Sequence, residues 1–428
     1  MTIPTPFQSK LSQRTCENTT LIVLAVLLYT YSLATIPPTL HLFEAWVDMQ
    51  FNFLSGSWAE FWREYSQFGA NDTNAAVRSP IWLALIGLST KIFQDPILAH
   101  RVPSALITAL APVFMAEITR RFFRKDMALF VGLACLGSQH FMFLGRIAGY
   151  VAPTTTLLIF IMLCAMSVAW ENNRKAWIPL VLSFMVMPMM YSTIRYMSLM
   201  APLIIGIQFL RSPSFRKHQW ISLVVSTVVL LSYMSLFVRE GVVLTTVNFF
   251  RARGEQHLLT QEMIQGTDPK VQGSLFKRMS EIALTTGSEN LQKIVPTYWT
   301  GQRFFDWYYQ HIYFSIHKWM TGFFLLGCGI AIARSFKNPR YSIFILWSLL
   351  GWIPLLFTTG LTNNRMLNGL PADLFLMVLG LMVPCDLMCR IVGRRLRALP
   401  YLALCGIMAY YVYFSTYRMF VDCMQLCR

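Results

Sequence analysis

Charge is what this chain has least of. Only 13% of its 428 residues are Asp, Glu, Lys or Arg, and acids are the rarer sign, 20 against 36 basic residues. A soluble multidomain protein of this length carries about twice that charge fraction. With 55% hydrophobic residues and a mean hydropathy of +0.48, the soluble, disordered and collagen-like classes are all excluded, leaving a polytopic membrane protein. Other absences narrow the chemistry. There is no GxxxxGK[ST] loop to cradle phosphates, no GxGxxG turn for a dinucleotide and no HExxH helix for zinc. No internal repeat of fixed period is visible, nor paired Gly/Pro-broken spans, which weighs against an inverted-repeat transporter. Cys135, Cys164, Cys328, Cys385 and Cys405 stand inside apolar runs, where Cys packs as a small hydrophobe, and no zinc spacing occurs.

What is present is a series of apolar runs of about the length that crosses a hydrocarbon core. They bracket eleven spans, at 20–37, 98–120, 126–146, 151–170, 176–192, 196–211, 219–238, 318–334, 341–359, 366–388 and 399–417. The first follows Lys10 and Arg14 but lacks a clear A-x-A site, so it reads as an uncleaved anchor. Segment 80–94 begins at a proline, is short and contains Lys91, and parity decides its reading. If it does not span, Lys10, Arg14, Arg120, Arg121, Arg124, Lys125, Arg174, Lys175, Arg334, Lys337 and Arg340 all share one face with few acids. The positive-inside rule makes that face cytoplasmic. If it spans, every later basic loop flips outside. It is therefore expected to be an interfacial or re-entrant half-helix. The net charge of +16 is then chiefly an orientation signal rather than a mark of nucleic-acid binding.

The expected architecture is an all-α integral membrane protein with its N-terminus inside. An N-terminal module covers 1–238, an outer-face loop or small subdomain 239–317, and a C-terminal module 318–428. Both large loops, 38–97 and 239–317, fall outside, so chemistry is expected there. In the first, FEAWVDMQFNFL and SWAEFWREYSQF interleave aromatics with acids at helical spacing and read as helices on the outer leaflet. The second ends in YWTGQRFFDWYYQHIYF, an interfacial aromatic belt or a lid over a lipid or sugar site. Within the spans, charged residues are nearly absent apart from Glu117 and Asp373, which disfavours a solute or lipid transporter.

Three segments carry a resemblance. PPTLHLFEA (37–45) directly follows the first span; SPIWLALIGLSTKIFQ opens a long run ending at FLGRIAGY (79–150); NNRMLNGLPADLFLMVLGL covers 363–381. In this order they resemble the polytopic GT-C glycosyltransferases of the protein O-mannosyltransferase and aminoarabinose transferase type. The likeness is good over about 20–200, moderate over 340–385, and does not reach 239–317.

The resemblance implies transfer of a sugar from a polyprenyl-phosphate carrier to a lipid, glycan or protein acceptor, with the paired acid of the first outer loop including the catalytic carboxylate. Here Phe43 stands in that pair and leaves Glu44, and Val151 occupies the place of a second acid five residues after Arg146. Some relatives bind a divalent cation through such acids, so the cofactor is left open.

Inverting displacement of a phosphate needs a base at the acceptor hydroxyl and cations at the phosphate. Glu44, just past the first span in a low-dielectric rim, is the base candidate, with Asp48 one turn on as a second acid or a solvated surface residue. Phosphate or substrate binding falls to Arg146, Arg195 and Arg365, backed by Arg78, because a guanidinium donates two parallel bonds and stays charged. Each is alternatively a snorkelling anchor. His41 and Asn364 are further binding candidates, weighed against a packing histidine and a turn asparagine. The rival reading, prompted by Phe43 and Val151, is a non-catalytic subunit that binds lipid-linked sugars. A bacterial inner membrane is the expected location, the alternative being an endoplasmic reticulum.

Overall fold

The computed structural model describes residues 6–35, 80–147, 151–187, 197–239, 288, 292, 318–356, 368–392, 396 and 398–425. Among them there is helix and no strand. The chain order is α1 (Pro6–Thr30), α2 (Pro80–Thr90), α3 (Pro96–Thr108), α4 (Ala111–Phe122), α5 (Ala128–Leu136), α6 (Gln139–Arg146) and α7 (Val151–Glu171). It continues through α8 (Trp177–Val186), α9 (Met200–Arg211), α10 (Pro213–Arg239), α11 (Thr321–Ser335), α12 (Arg340–Leu356), α13 (Leu370–Ile391) and α14 (Ala398–Gln425). The expected surface helices of the first outer loop and the aromatic stretch before 318 lie outside the described residues.

Four described segments are long and apolar enough to cross a membrane: Pro96–Phe122, Val151–Glu171, Leu370–Ile391 and Ala398–Val421. They coincide with the spans expected at 98–120, 151–170, 366–388 and 399–417. A fifth is the pair Lys125–Leu136 and Gln139–Arg146, bent by 53°. This pair falls on the span expected at 126–146, and the bend within it has a local cause. Helix α5 stops at Gly137, Ser138 takes an extended ψ of 118°, and the chain restarts on a new axis. A Cβ at Gly137 would sit 2.9 Å from the Tyr411 ring, so α14 packs directly against the break. Helix α2 has 11 residues, about half of a full crossing, in line with the expected half-helix. It is followed by a firm start to α3: Asp95 accepts from the backbone N–H of Ile97 (2.8 Å) and Leu98 (3.2 Å), with Pro96 in the first turn.

Small residues set the tightest crossings. A Cβ built on Gly327 of α11 would lie 1.7 Å from the Leu376 carbonyl oxygen, and one on Gly380 of α13 would lie 1.8 Å from that of Phe323. The two backbones therefore touch, a contact only glycine admits and one that membrane helices use in place of a hydrophobic driving force. Around them Phe123, reaching from the end of α4, stacks edge-on to Phe344, Tyr341 and Phe375 at centroid distances of 5.2, 5.2 and 4.9 Å.

One end of the bundle is tied by ion pairs. Glu117 at the end of α4 accepts from Arg14 Nε (3.1 Å) and Asn18 Nδ2 (2.8 Å) of α1 and pairs with Arg120. Arg120 in turn reaches Glu17. Arg121 pairs with Glu171 of α7. Arg124 bridges Asp126 and Asp386 of α13, while the Tyr401 hydroxyl of α14 donates to Asp126 at 2.9 Å. The carboxylates of Asp386 and Asp126 raise the Arg124 pKa and hold it charged. Arg120, Arg121 and Arg124, read from the sequence as part of the orientation signal, thus also join α4 to α1, α7 and α13, and Asp126 adds α14.

Candidate functional site

The opposite end is organised around the last turn of α1. A helix C-terminus leaves carbonyls without helical partners and carries partial negative charge. Here Arg146, from the end of α6, supplies the donors. Its Nη1 donates to the Leu28 and Tyr29 carbonyls at 2.8 and 3.2 Å, and its Nη2 to those of Tyr31 and Ser32 at 2.6 and 3.3 Å. Ser32 is left-handed at φ 49°, which turns the chain out of the helix. Arg101 of α3 donates to the Leu33 carbonyl at 2.9 Å. Both guanidinium groups are buried, at 0% and 1% exposure for Arg101 and Arg146. Phe420 of α14 covers the Arg146 guanidinium at 4.9 Å and meets Tyr31 edge-on at 5.6 Å. The carbonyls of Leu28, Tyr29, Tyr31, Ser32 and Leu33 are thereby fixed a few residues ahead of Pro37 and Pro38, where the acidic loop begins in the sequence.

A second polar cluster lies at the start of α13. The Asn368 side-chain oxygen accepts from the Thr155 hydroxyl of α7 at 2.8 Å, and its carbonyl accepts from the Trp347 indole of α12 at 2.7 Å. Asp373, 1% exposed, accepts a hydrogen bond from Ser348. Gly351 and Gly369 allow the backbones to meet, since a Cβ on Gly351 would fall 2.3 Å from the Gly369 Cα. This cluster directly follows the segment containing Asn364 and Arg365. Its partner on α7, Thr155, lies within the first turns of the helix that follows Arg146 in the chain.

Of the residues singled out in the sequence, Arg146 is placed, on the α1 carbonyls. Glu44, Asp48, His41, Arg78, Arg195, Arg365 and Asn364 lie outside the described residues. Val151 is buried at the first turn of α7, within the apolar core. Arg101 was passed over in the sequence, although a charge flanked by apolar residues within 98–120 is itself a signal. Among the described residues no three of His, Cys, Asp and Glu converge as metal ligands.

A family model described as dolichyl-phosphate-mannose-protein mannosyltransferase matches residues 77–237. A search of curated proteins by sequence finds no match. Two solved structures of the Archaeoglobus fulgidus oligosaccharyltransferase share the fold. The apo form aligns with a TM-score of 0.54 at 13% identity, covering 95% of this chain and 55% of that one. The form tethered to an acceptor peptide aligns with a TM-score of 0.52 at 14% identity, covering 94% and 54%. ArnT from Cupriavidus metallidurans in its apo state aligns at a TM-score of 0.40 with 15% identity, covering 81% of this chain and 58% of that one. The chain spans little more than half the length of the solved structures it matches. Over residues 77–237 the chain is similar in sequence to the mannosyltransferase model, over nearly all of its length it shares the fold of the Archaeoglobus fulgidus oligosaccharyltransferase, and its long apolar helices are those of an integral membrane protein.

Proposed function

We propose that the chain is a glycosyltransferase that takes a sugar from a polyprenyl-phosphate carrier and passes it, with inversion, to a lipid, glycan or protein acceptor on the outer face of a bacterial inner membrane. The observation that carries this reading joins sequence and geometry. The stretch matching the mannosyltransferase model includes both Arg101 and Arg146, the two residues that fix the end of α1 from which the acidic loop departs. In this scheme Glu44 takes the proton of the acceptor hydroxyl. The freed oxygen bonds to the anomeric carbon, the bond from that carbon to the phosphate oxygen breaks, and the polyprenyl phosphate leaves with the electron pair. Arg195, Arg365 and Arg78 balance the phosphate charge, Asp48 is a second acid, and His41 and Asn364 contact the sugar. Arg146 acts at the same rim by holding the loop's origin, and a divalent cation remains an element to be tested. The eleven-span topology with the N-terminus inside and the three-part division at 238 and 317 belong to this proposal.

The test is transfer of radiolabelled sugar from polyprenyl phosphate by membranes containing the wild type or Glu44→Gln, each with and without chelator. Loss of transfer at equal protein level supports Glu44 as the base; transfer retained in the variant removes it. Phe43 and Val151 favour a second reading, a subunit that binds the lipid-linked sugar without turnover. Saturable donor binding with no product in the wild type would establish that reading instead.

A further inference from the structure

At the ion-paired end of the bundle, a cavity of about 240 Å³ opens between the end of α7, helix α9 and the start of α12. Its walls are apolar, including Leu203, Ile207 and Leu346, and its mouth holds Arg211, the last residue of α9, and Arg340, the first of α12. Four other arginines at this end set a contrast: Arg14, Arg120, Arg121 and Arg124 are each paired with a carboxylate, while Arg174 and Arg334 donate to the His218 carbonyl and the Tyr341 hydroxyl. Among the described residues no carboxylate pairs with Arg211 or Arg340; Arg340 instead lies over the Trp170 ring at 4.8 Å, a contact that orients its guanidinium without cancelling its charge. The side walls are open to the surroundings, with Leu203 47% and Ile207 43% exposed on an apolar helix of a membrane protein. The volume is below the roughly 300 Å³ at which pockets begin to enclose a whole small ligand, so the cavity takes part of a larger molecule.

We propose that this cavity binds an anionic phospholipid of the surrounding leaflet, its phosphodiester between Arg211 and Arg340 and the upper part of its acyl chains against Leu203, Ile207 and Leu346. The two guanidinium groups select the negative headgroup, the apolar wall continuous with the exposed side of α9 admits the chains, and the small volume excludes the rest of the molecule. The site is separate from the rim around Arg146 and does not depend on the proposed transfer reaction.

The experiment uses the full chain, purified in detergent, with dioleoyl phosphatidylglycerol as probe and dioleoyl phosphatidylcholine as the zwitterionic comparison, bound lipid being read by native mass spectrometry. Arg211→Gln/Arg340→Gln is expected to weaken phosphatidylglycerol binding about thirtyfold, the factor that corresponds to two basic contacts with anionic lipid. Arg216→Gln/Lys217→Gln, which removes the same charge from the same end but away from the cavity, is expected to change it less than threefold. Leu203→Trp keeps both arginines and fills the wall, and is expected to reduce binding at least tenfold. Equal losses in the two charge variants would overturn the proposal in favour of diffuse attraction to a basic surface. Unchanged binding in Leu203→Trp would remove the cavity from it. Displacement of the lipid by millimolar inorganic phosphate would show a site for a free anion and would overturn it as well.

Discussion

The two ends of the helix bundle hold their arginines in different ways. At one end side chain meets side chain: Arg14 and Arg120 on Glu117, Arg121 on Glu171, Arg124 on Asp126 and Asp386. At the other, Arg146 and Arg101 meet backbone carbonyls at and beyond the end of α1. A carboxylate can rotate, protonate or find another cation, whereas a carbonyl at a helix terminus is fixed by the helix behind it. The first arrangement ties several helices by charges that compensate one another. The second makes the direction in which α1 releases the chain depend on two side chains from α3 and α6. Stability is shared at the ion-paired end and concentrated at the other.

The sharpest way to break this contrast is Arg146→Ala, which strips donors from four carbonyls in a buried place. A loss of about 4 kcal/mol is expected, because leaving buried polar groups unsatisfied costs more than the net worth of the bonds. Thermal unfolding in detergent should show it directly. Arg146→Lys keeps the charge but loses the fork, and should recover less than half of that loss. Next is Glu117→Ala, which leaves Arg14 and Arg120 around an emptied site. About 3 kcal/mol is expected by the same measurement, the loss being smaller because Arg120 retains Glu17. Arg101→Gln removes one charge-assisted bond to Leu33 and keeps a donor, for about 1.5 kcal/mol. Under the proposed function its effect on sugar transfer should exceed its effect on stability, since it holds the origin of the loop that contains Glu44. If transfer falls only in proportion to folded protein, Arg101 has no positioning role. Smallest is Glu171→Gln. Its pair with Arg121 is about a third exposed, so a change under roughly 1 kcal/mol is expected, and it should shrink as salt is raised. A larger, salt-independent loss would mean that the two ends are not so different.

Much of the helical order was legible because apolar length is a property of composition. The brackets 98–120, 151–170, 366–388 and 399–417 coincide with long helices, and the segment from Pro80 is a short one, as its length and Lys91 implied. The bend between α5 and α6 was not legible. Hydropathy averages over a window, and a break at Gly137 and Ser138 leaves that average unchanged. Gly137 is a poor warning on its own, since Gly206 and Gly406 lie within helices without any break. Arg146 was singled out for a phosphate; its partners in the fold, the carbonyls of Leu28, Tyr29, Tyr31 and Ser32, are more than a hundred positions away in the chain and no pattern marks them. Arg101 was missed for the same reason, its acceptor being the Leu33 carbonyl, a group every residue possesses and no pattern marks. The Asn368 cluster was likewise hidden, because Thr155 and Trp347 look like ordinary span residues until the three helices are set together.

The glycine contact between α11 and α13 has a mechanical meaning. With Gly327 against the Leu376 carbonyl and Gly380 against that of Phe323, the two helices interlock at two points about a helical turn apart, and neither can slide or roll without driving backbone into backbone. They form a single beam. Whatever displacement accompanies the arrival and departure of a ligand, this beam travels whole, and the compliance has to come from the joints at its ends, where α12 meets α13 at Gly351 and Gly369 and where Arg124 grips Asp386.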